Sequence, residues 1–278
     1  MKKCECSLCK FENPKVTATA VIIQNQKLLV GKRNLKEEPF YGKWDFFGGF
    51  LQKGETPEQT LKREIKEELG VDCQITPLGS FTGTSSYREF SFPVTTFAYL
   101  TEIAGEIKLD KKENSRLAWI AISELNDIAF DSNQKILKYI KEKFVFDLEK
   151  VKDLTAQLDS TAVINEQSLY KAILNGHVSK VEDGGKLIGI GWIFPRQTML
   201  RKQAVVEDMI VDDKYRGKGL GEKILKDLIG WAKEQEIEVI ELTTNPKRIA
   251  ANSLYKKVGF KLHETNHYLL NLRHLTRV

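Results

Sequence analysis

The residues best suited to do chemistry crowd into one stretch, residues 49–71. Glu55 is followed by Glu64, Glu67 and Glu68 in the spacing E-x-x-E-E. Leu61, Ile65 and Leu69 recur every four residues, so residues 57–69 are expected to form an amphipathic helix. At about 100° per residue, Glu64, Glu67 and Glu68 share one arc beside the apolar stripe, while Lys62 and Lys66 fall on the wetter side. Three carboxylates at a core boundary repel one another. A hard divalent cation relieves that repulsion, and Mg2+ typically sits between a few carboxylates and substrate phosphates. Gly70 then stops the helix. A solvated Lys/Glu face would explain the charge run, but not Gly49, Glu55 and Arg63 at their spacings.

The stretch resembles the Nudix signature, G-x5-E-x7-R-E-U-x-E-E-x-G-U with U aliphatic. Gly49, Glu55, Arg63, Glu64, Ile65, Glu67, Glu68, Gly70 and Val71 fill every fixed position. The resemblance implies attack of water on a diphosphate linked to a nucleoside, with Mg2+ or Mn2+ held by Glu64, Glu67, Glu68 and the Gly49 carbonyl. A carboxylate of this set, or a loop glutamate such as Glu113, would be the base. Arg63 would pair with Glu55 and orient the helix. The run of residues 42–49 resembles enzymes acting on ADP-ribose or NADH, although Phe47 replaces a common Pro and the NADH-type motif S-Q-P-W-P-F-P is absent. ADP-ribose-like substrates therefore lead. Oxidised nucleoside triphosphates come second. A third reading, from a different class, is a nucleotide sensor controlling the rest of the chain; an intact carboxylate set argues against it.

A second constellation lies far downstream. Arg216, Gly217, Lys218, Gly219, Leu220 and Gly221 join an expected strand to an expected helix. The glycines let backbone amides turn toward one point, and a helix N-terminus adds partial positive charge, which together suit a pyrophosphate. The spacing fails the dinucleotide fingerprint and lacks G-K-[ST]. With the preceding V-x-D-x-x-Y and the later Asn252-Ser253-Leu254-Tyr255 and Gly259-Phe260, it resembles the acetyl-CoA loop of the GNAT acyltransferases. By that resemblance, residues 216–221 hold the pyrophosphate of acetyl-CoA, and Met209, Ile210 and Val211 pair with its pantetheine arm. Tyr255 protonates the leaving thiolate and Asn252 helps position it. A base is needed for the acceptor amine, whose identity stays open; Glu207 is favoured over Asp208, which faces the other side of the strand.

The rest of the chain must position these groups. Its 278 residues suit two domains rather than one core. Basic and acidic residues, 43 and 38, are well mixed to a net +5, so charge alone does not argue for nucleic acid. The start shows no secretory pattern and no run is long enough for a membrane span, so a cytoplasmic protein is expected. Cys4, Cys6 and Cys9 resemble one knuckle of a zinc ribbon. A structural zinc needs four ligands, so a metal-free vestige is favoured; a zinc shared across a homodimer is the alternative. The expected architecture is α/β (α+β): a knuckle at 1–14, a Nudix α/β/α sandwich at 15–145 and a GNAT fold at 146–278, with no flexible linker between them. Strands are expected within 16–30, 80–87, 94–100, 116–122, 178–182, 187–194, 205–211 and 238–243, and around His263 and His267. Helices are expected at 135–143, 148–158, 166–174 and from 220 to about 236. A short helix would begin at Ser123, Asn245 would cap the last helix, and residues 144–146 would be a reduced first GNAT strand.

Overall fold

A computed structural model describes residues 14–36, 40–87, 90–161, 163–268 and 270. The three N-terminal cysteines lie outside the described residues. Contacts divide the chain into two units, residues 1–177 and 178–278.

The first unit holds β1 (Lys15–Val21), β2 (Ile23–Gln24), β3 (Lys27–Arg33), β4 (Trp44–Asp45), β5 (Phe47–Phe50), α1 (Pro57–Leu69), β6 (Asp72–Tyr87), β7 (Phe90–Ala104), β8 (Asn114–Ala121), α2 (Asp131–Phe144), α3 (Leu148–Leu158) and α4 (Glu166–Leu174). One mixed sheet runs β5-β1-β7-β6, with β1 parallel to β7. In a second sheet β3 joins β2, β4 and β8. Strand alternation sorts the residues between two helical layers. Ala18 and Ala20 on β1 and Tyr99 on β7 form one core with Leu61, Ile65 and Leu69 of α1. Thr96, on the other face, hydrogen-bonds Ser132 at the start of α2 at 2.8 Å. Helix, sheet and helix thus stack in three layers. Leu61, Ile65 and Leu69 are fully buried, each contributing about 2 kcal/mol over exposure.

Chain order and space diverge after α2. Residues 144–146 are not a strand: Phe144 ends α2 and is fully buried, and the Phe146 N–H donates to Gln26 Oε1 at 2.8 Å. Helix α4 then docks on the turn between β2 and β3. Asn25 and Gln26 both have positive φ, and their N–H groups donate to Glu166 at 2.7 and 2.9 Å. Tyr170, fully buried, donates to the same carboxylate at 2.6 Å and packs its ring on Phe144. The expected boundary at 145/146 falls between α2 and α3, whereas the contacts place α3 and α4 with the first unit.

The second unit holds β9 (His177–Asp183), β10 (Lys186–Gln197), β11 (Lys202–Val211), a 3-10 turn at Asp213–Tyr215, α5 (Leu220–Glu234), β12 (Val239–Leu242) and α6 (Ile249–Val258). The sheet order is β12-β11-β10-β9, with β11 parallel to β12. Ile224, Leu225 and Leu228 of α5 bury against Ile188, Ile193, Ala204 and Val206. Gly189 and Gly191 give α5 its close approach, since a Cβ at Gly191 would meet Ile224 at 2.7 Å.

Three local expectations are corrected. Residues 123–125 form a single turn closed on the Ala121 carbonyl, not a helix. Asn245 does not cap α6: its side chain accepts the Lys247 N–H at 2.9 Å in a tight turn, and the helix begins at Ile249. His263 and His267 lie in irregular backbone. No helix among the described residues is long and apolar enough to cross a membrane.

Candidate functional site

Helix α1 is built to start and stop where it does. Thr56 and Gln59 form a reciprocal capping box, Pro57 takes the first turn, and Gly70 closes the helix with φ 70°. The cap is worth about 1 kcal/mol and fixes the register of every glutamate behind it.

Arg63 organises the acidic arc. Its Nε and Nη2 donate to the two oxygens of Glu55 at 2.8 and 3.0 Å. Its Nη1 reaches Glu64 at 2.8 Å and Glu67 at 3.2 Å. This is the expected Arg63–Glu55 pair, extended to two further glutamates. Glu55 also accepts the Gln52 N–H and the Thr60 hydroxyl. Hydrogen bonds from Arg63, chiefly, bring its carboxyl down to about 2. Burial pushes Glu64 upward, with Glu67 and Glu113 adding to the rise.

Glu68 is held differently. It is buried, and its two oxygens take separate donors: the Gly48 N–H at 2.8 Å and Asn114 Nδ2 at 2.9 Å. Burial raises its carboxyl well above the usual range, and the charges of Glu113, Glu64 and Asp45 push the same way. The Gly48–Gly49 backbone must be bare. A Cβ at Gly48, whose φ is 142°, would stand 2.1 Å from the Ala18 carbonyl oxygen, and one at Gly49 would stand 2.2 Å from Glu64 Oε1. Gly49 thus lies directly against Glu64.

The donor set is oxygen-rich and anionic, and burial raises both Glu64 and Glu68, so it fits a hard divalent cation. Among the described residues no three His, Cys, Asp or Glu side chains converge closely enough to hold an ion as they stand; Arg63 takes up part of the carboxylate charge.

Sequence reasoning missed a polar extension of this site. Asp45 on β4 is buried and pairs with Arg33 at 2.9 Å. It also accepts from Asn133 Nδ2 at 2.8 Å. Burial lifts its carboxyl to about 6 against the pull of Arg33. Asn133 Oδ1 is buried without a hydrogen-bond partner among the described residues. The only sequence signal was an Asn and an Asp beside apolar runs.

In the second unit the 216–221 loop joins β11 to α5. Gly217 and Gly219 both have φ of 77°, and a Cβ on either would meet nothing within 4 Å. Gly219 occupies the cap position of α5 with no side-chain cap. Arg216 pairs with Asp213 at 2.5 Å and donates to the Val211 carbonyl at 3.1 Å, so its side chain turns back on its own loop. The Lys218 amine lies 5.1 Å from the Tyr215 ring centre. Leu220 and Gly221 open α5, where a Cβ at Gly221 would touch Leu254 of α6 at 3.3 Å.

A bulge interrupts β11: the register slips between Ile190 and Trp192, leaving Asp208 and Met209 opposite Gly191. Asp208 sits there with φ of 49°, while Glu207 stays in register opposite Trp192. Ile210 and Val211 resume pairing with Ile190 and Gly189. Burial raises the Glu207 carboxyl, and Asp208 adds to it. Tyr255 packs edge-on against Phe260, and burial raises its hydroxyl. Asn252 Nδ2 is engaged by the carbonyls of Asn245 and Arg248 at 3.1 and 2.9 Å.

Comparison with known proteins agrees with both halves. The NUDIX domain family matches residues 13–142, and the Acetyltransferase (GNAT) family matches residues 143–260. An ADP-ribose pyrophosphatase of Methanocaldococcus jannaschii is 31% identical over 135 residues, 48% of this chain and 77% of that protein. An 8-oxo-dGTP diphosphatase of Proteus vulgaris is 39% identical over 103 residues, 37% of this chain and 88% of that one. The rat N-acetyltransferase family 8 member 2 is 29% identical over 108 residues, which span 37% of this chain and 47% of that enzyme. The chain belongs to the Nudix family, and behind its Nudix domain it carries a GNAT acetyltransferase domain.

Proposed function

We propose that the first unit hydrolyses the diphosphate linkage of a nucleoside diphosphate derivative, with ADP-ribose or a close relative as substrate. The observation that carries this reading is the Arg63 network, which holds Glu55, Glu64 and Glu67 on one side of a capped helix. Glu64, Glu67, Glu68 and the Gly49 carbonyl would hold Mg2+ or Mn2+. When bound, the cation neutralises phosphate charge and lowers the pKa of the attacking water. Glu113, whose charge is felt at both Glu64 and Glu68, takes the proton of that water. A new oxygen–phosphorus bond forms as the bridging bond breaks. The products are a nucleoside monophosphate and a phosphorylated remainder. The archaeal ADP-ribose pyrophosphatase supports this choice of substrate.

A second reading, an oxidised nucleoside triphosphate, is favoured by Arg33, Asp45 and Asn133. Asn133 Oδ1, buried beside the Arg33–Asp45 pair and unpartnered among the described residues, suits a donor on the edge of a nucleobase. The Proteus relative points the same way. A panel of ADP-ribose, NADH and oxidised nucleotides with Mg2+, scored by product mass, separates the two. Absence of turnover together with tight nucleotide binding would favour a sensor.

For the second unit we propose acetyl transfer from acetyl-CoA to an amine. Amides of residues 216–221 hold the pyrophosphate, and the bulged strand at Met209, Ile210 and Val211 pairs with the pantetheine. Glu207 accepts the amine proton as the nitrogen–carbon bond forms. Tyr255 gives a proton to the leaving thiolate, and Asn252 sets the start of the helix that carries it. Calorimetry with acetyl-CoA tests this reading. The setting we propose is the cytoplasm.

A further inference from the structure

Asn114 has three features that a strand-initial residue does not need. It is 5% exposed, although it opens β8 straight after a loop. Its amide donates to Glu68 Oε1 at 2.9 Å, inside the protein. Its carboxamide lies on the bare backbone of Gly31, where a Cβ would stand 2.4 Å from Asn114 Oδ1 and 2.7 Å from its Cγ. The β3–β8 register shifts at this point, between Gly31 and Arg33, which pairs with Asn114. Gly31 therefore makes the seat, and Asn114 fills it.

The same residue carries Glu113 on its N-terminal side. The loop before it is already stitched down by backbone. Lys108 and Asp110 donate to the last carbonyls of α1 at 2.8 Å each, and the Asn34 N–H donates to the Glu113 carbonyl at 2.7 Å. The Asn114 side chain then ties the end of this loop to a carboxylate of the acidic arc.

We infer that Asn114 is a positioning residue of the hydrolase site: it fixes the rotamer of Glu68 through its amide and, through its backbone, the place of Glu113. This rests on the metal-dependent hydrolase reading above. An uncharged donor suits the task. It holds one oxygen of Glu68 while the Gly48 N–H holds the other, and it leaves each oxygen a lone pair for a cation. Partners of this kind typically govern metal affinity or activity by about 10–100-fold.

The test uses the full chain and Mn2+ alone, followed by electron paramagnetic resonance, then kcat and KM on ADP-ribose. Ser115→Ala sets the structural baseline, because the Ser115 hydroxyl donates to the Lys32 carbonyl at 3.1 Å rather than to a glutamate of the arc. Asn114→Ala is expected to weaken Mn2+ binding about tenfold or more and to lower kcat at least as much, with KM within a small factor. A folded Asn114→Ala whose Mn2+ affinity and kcat match Ser115→Ala within twofold would overturn the inference. Should Asn114→Ala fail to fold, Asn114→Ser, too short to reach Glu68, carries the same two outcomes. Wild type that binds no Mn2+ and hydrolyses nothing removes the hydrolase reading, and this inference with it. Wild type that binds Mn2+ and is matched by the variants removes the inference alone.

Discussion

Around Arg63, five oxygens from Glu55, Glu64, Glu67 and the Phe50 carbonyl meet one guanidinium. Around Gly217 and Gly219, no atom of the described residues stands within 4 Å of where a Cβ would point. The first is made of side chains that hold one another and, on the proposed function, should fail when a charge is changed; the second is made of backbone and should fail when an atom is added. Both recognise diphosphates in the proposed function, yet by opposite means: a cation lodged among anions, and partial charges on amides. That contrast says which substitutions to fear in each half.

The largest effect should come from removing a charge in the acidic arc. Glu68→Gln and Glu67→Gln are each expected to lower kcat by about 100-fold or more, equivalent to about 3 kcal/mol of transition-state stabilisation. Circular dichroism should stay unchanged. Steady-state kinetics with Mg2+ checks this.

Adding atoms to the backbone site comes next. Gly219→Trp should abolish detectable acetyl-CoA binding by calorimetry, because a side chain there enters the space beside the amides. Turnover of the diphosphate substrate by the same variant serves as the control. Tyr255→Phe should keep acetyl-CoA binding and slow transfer.

Arg63→Lys probes geometry at constant charge. An ammonium cannot offer the fork that spans both oxygens of Glu55 and reaches Glu64. Turnover is expected to fall about tenfold. Unchanged kcat would mean that charge alone keeps the glutamates in place.

The smallest effect calibrates the others. Glu166→Gln weakens the acceptor for two turn N–H groups that take no part in the Arg63 network. It should cost about 1–2 kcal/mol of stability and lower the melting temperature with kcat intact. A loss of kcat there would show that general destabilisation mimics a catalytic defect.

What the sequence disclosed was local. α1 was legible at both ends because Leu61, Ile65 and Leu69 share a stripe and Gly70 ends it. The 216–221 loop was legible because its glycines sit between a strand and a helix. Contacts between distant residues were not. Asn114 meets Glu68 from 46 positions away, Asn133 meets Asp45 from 88, and Glu166 meets Asn25 from 141. No periodicity encodes such meetings; only the folded sheets bring them together. Local signals also misled where a competing local bond won. Asn245 looked like a helix cap, but its carboxamide satisfies Lys247 in a turn of its own.

The most direct test of the central claim is turnover of ADP-ribose by the full chain with and without Mg2+, product masses read for wild type and Glu67→Gln. A nucleoside monophosphate and a sugar phosphate are expected in equal amounts, formed only with the metal and about 100-fold more slowly by the variant. Turnover that persists without a divalent metal, or a Glu67→Gln variant as fast as wild type, would contradict the claim.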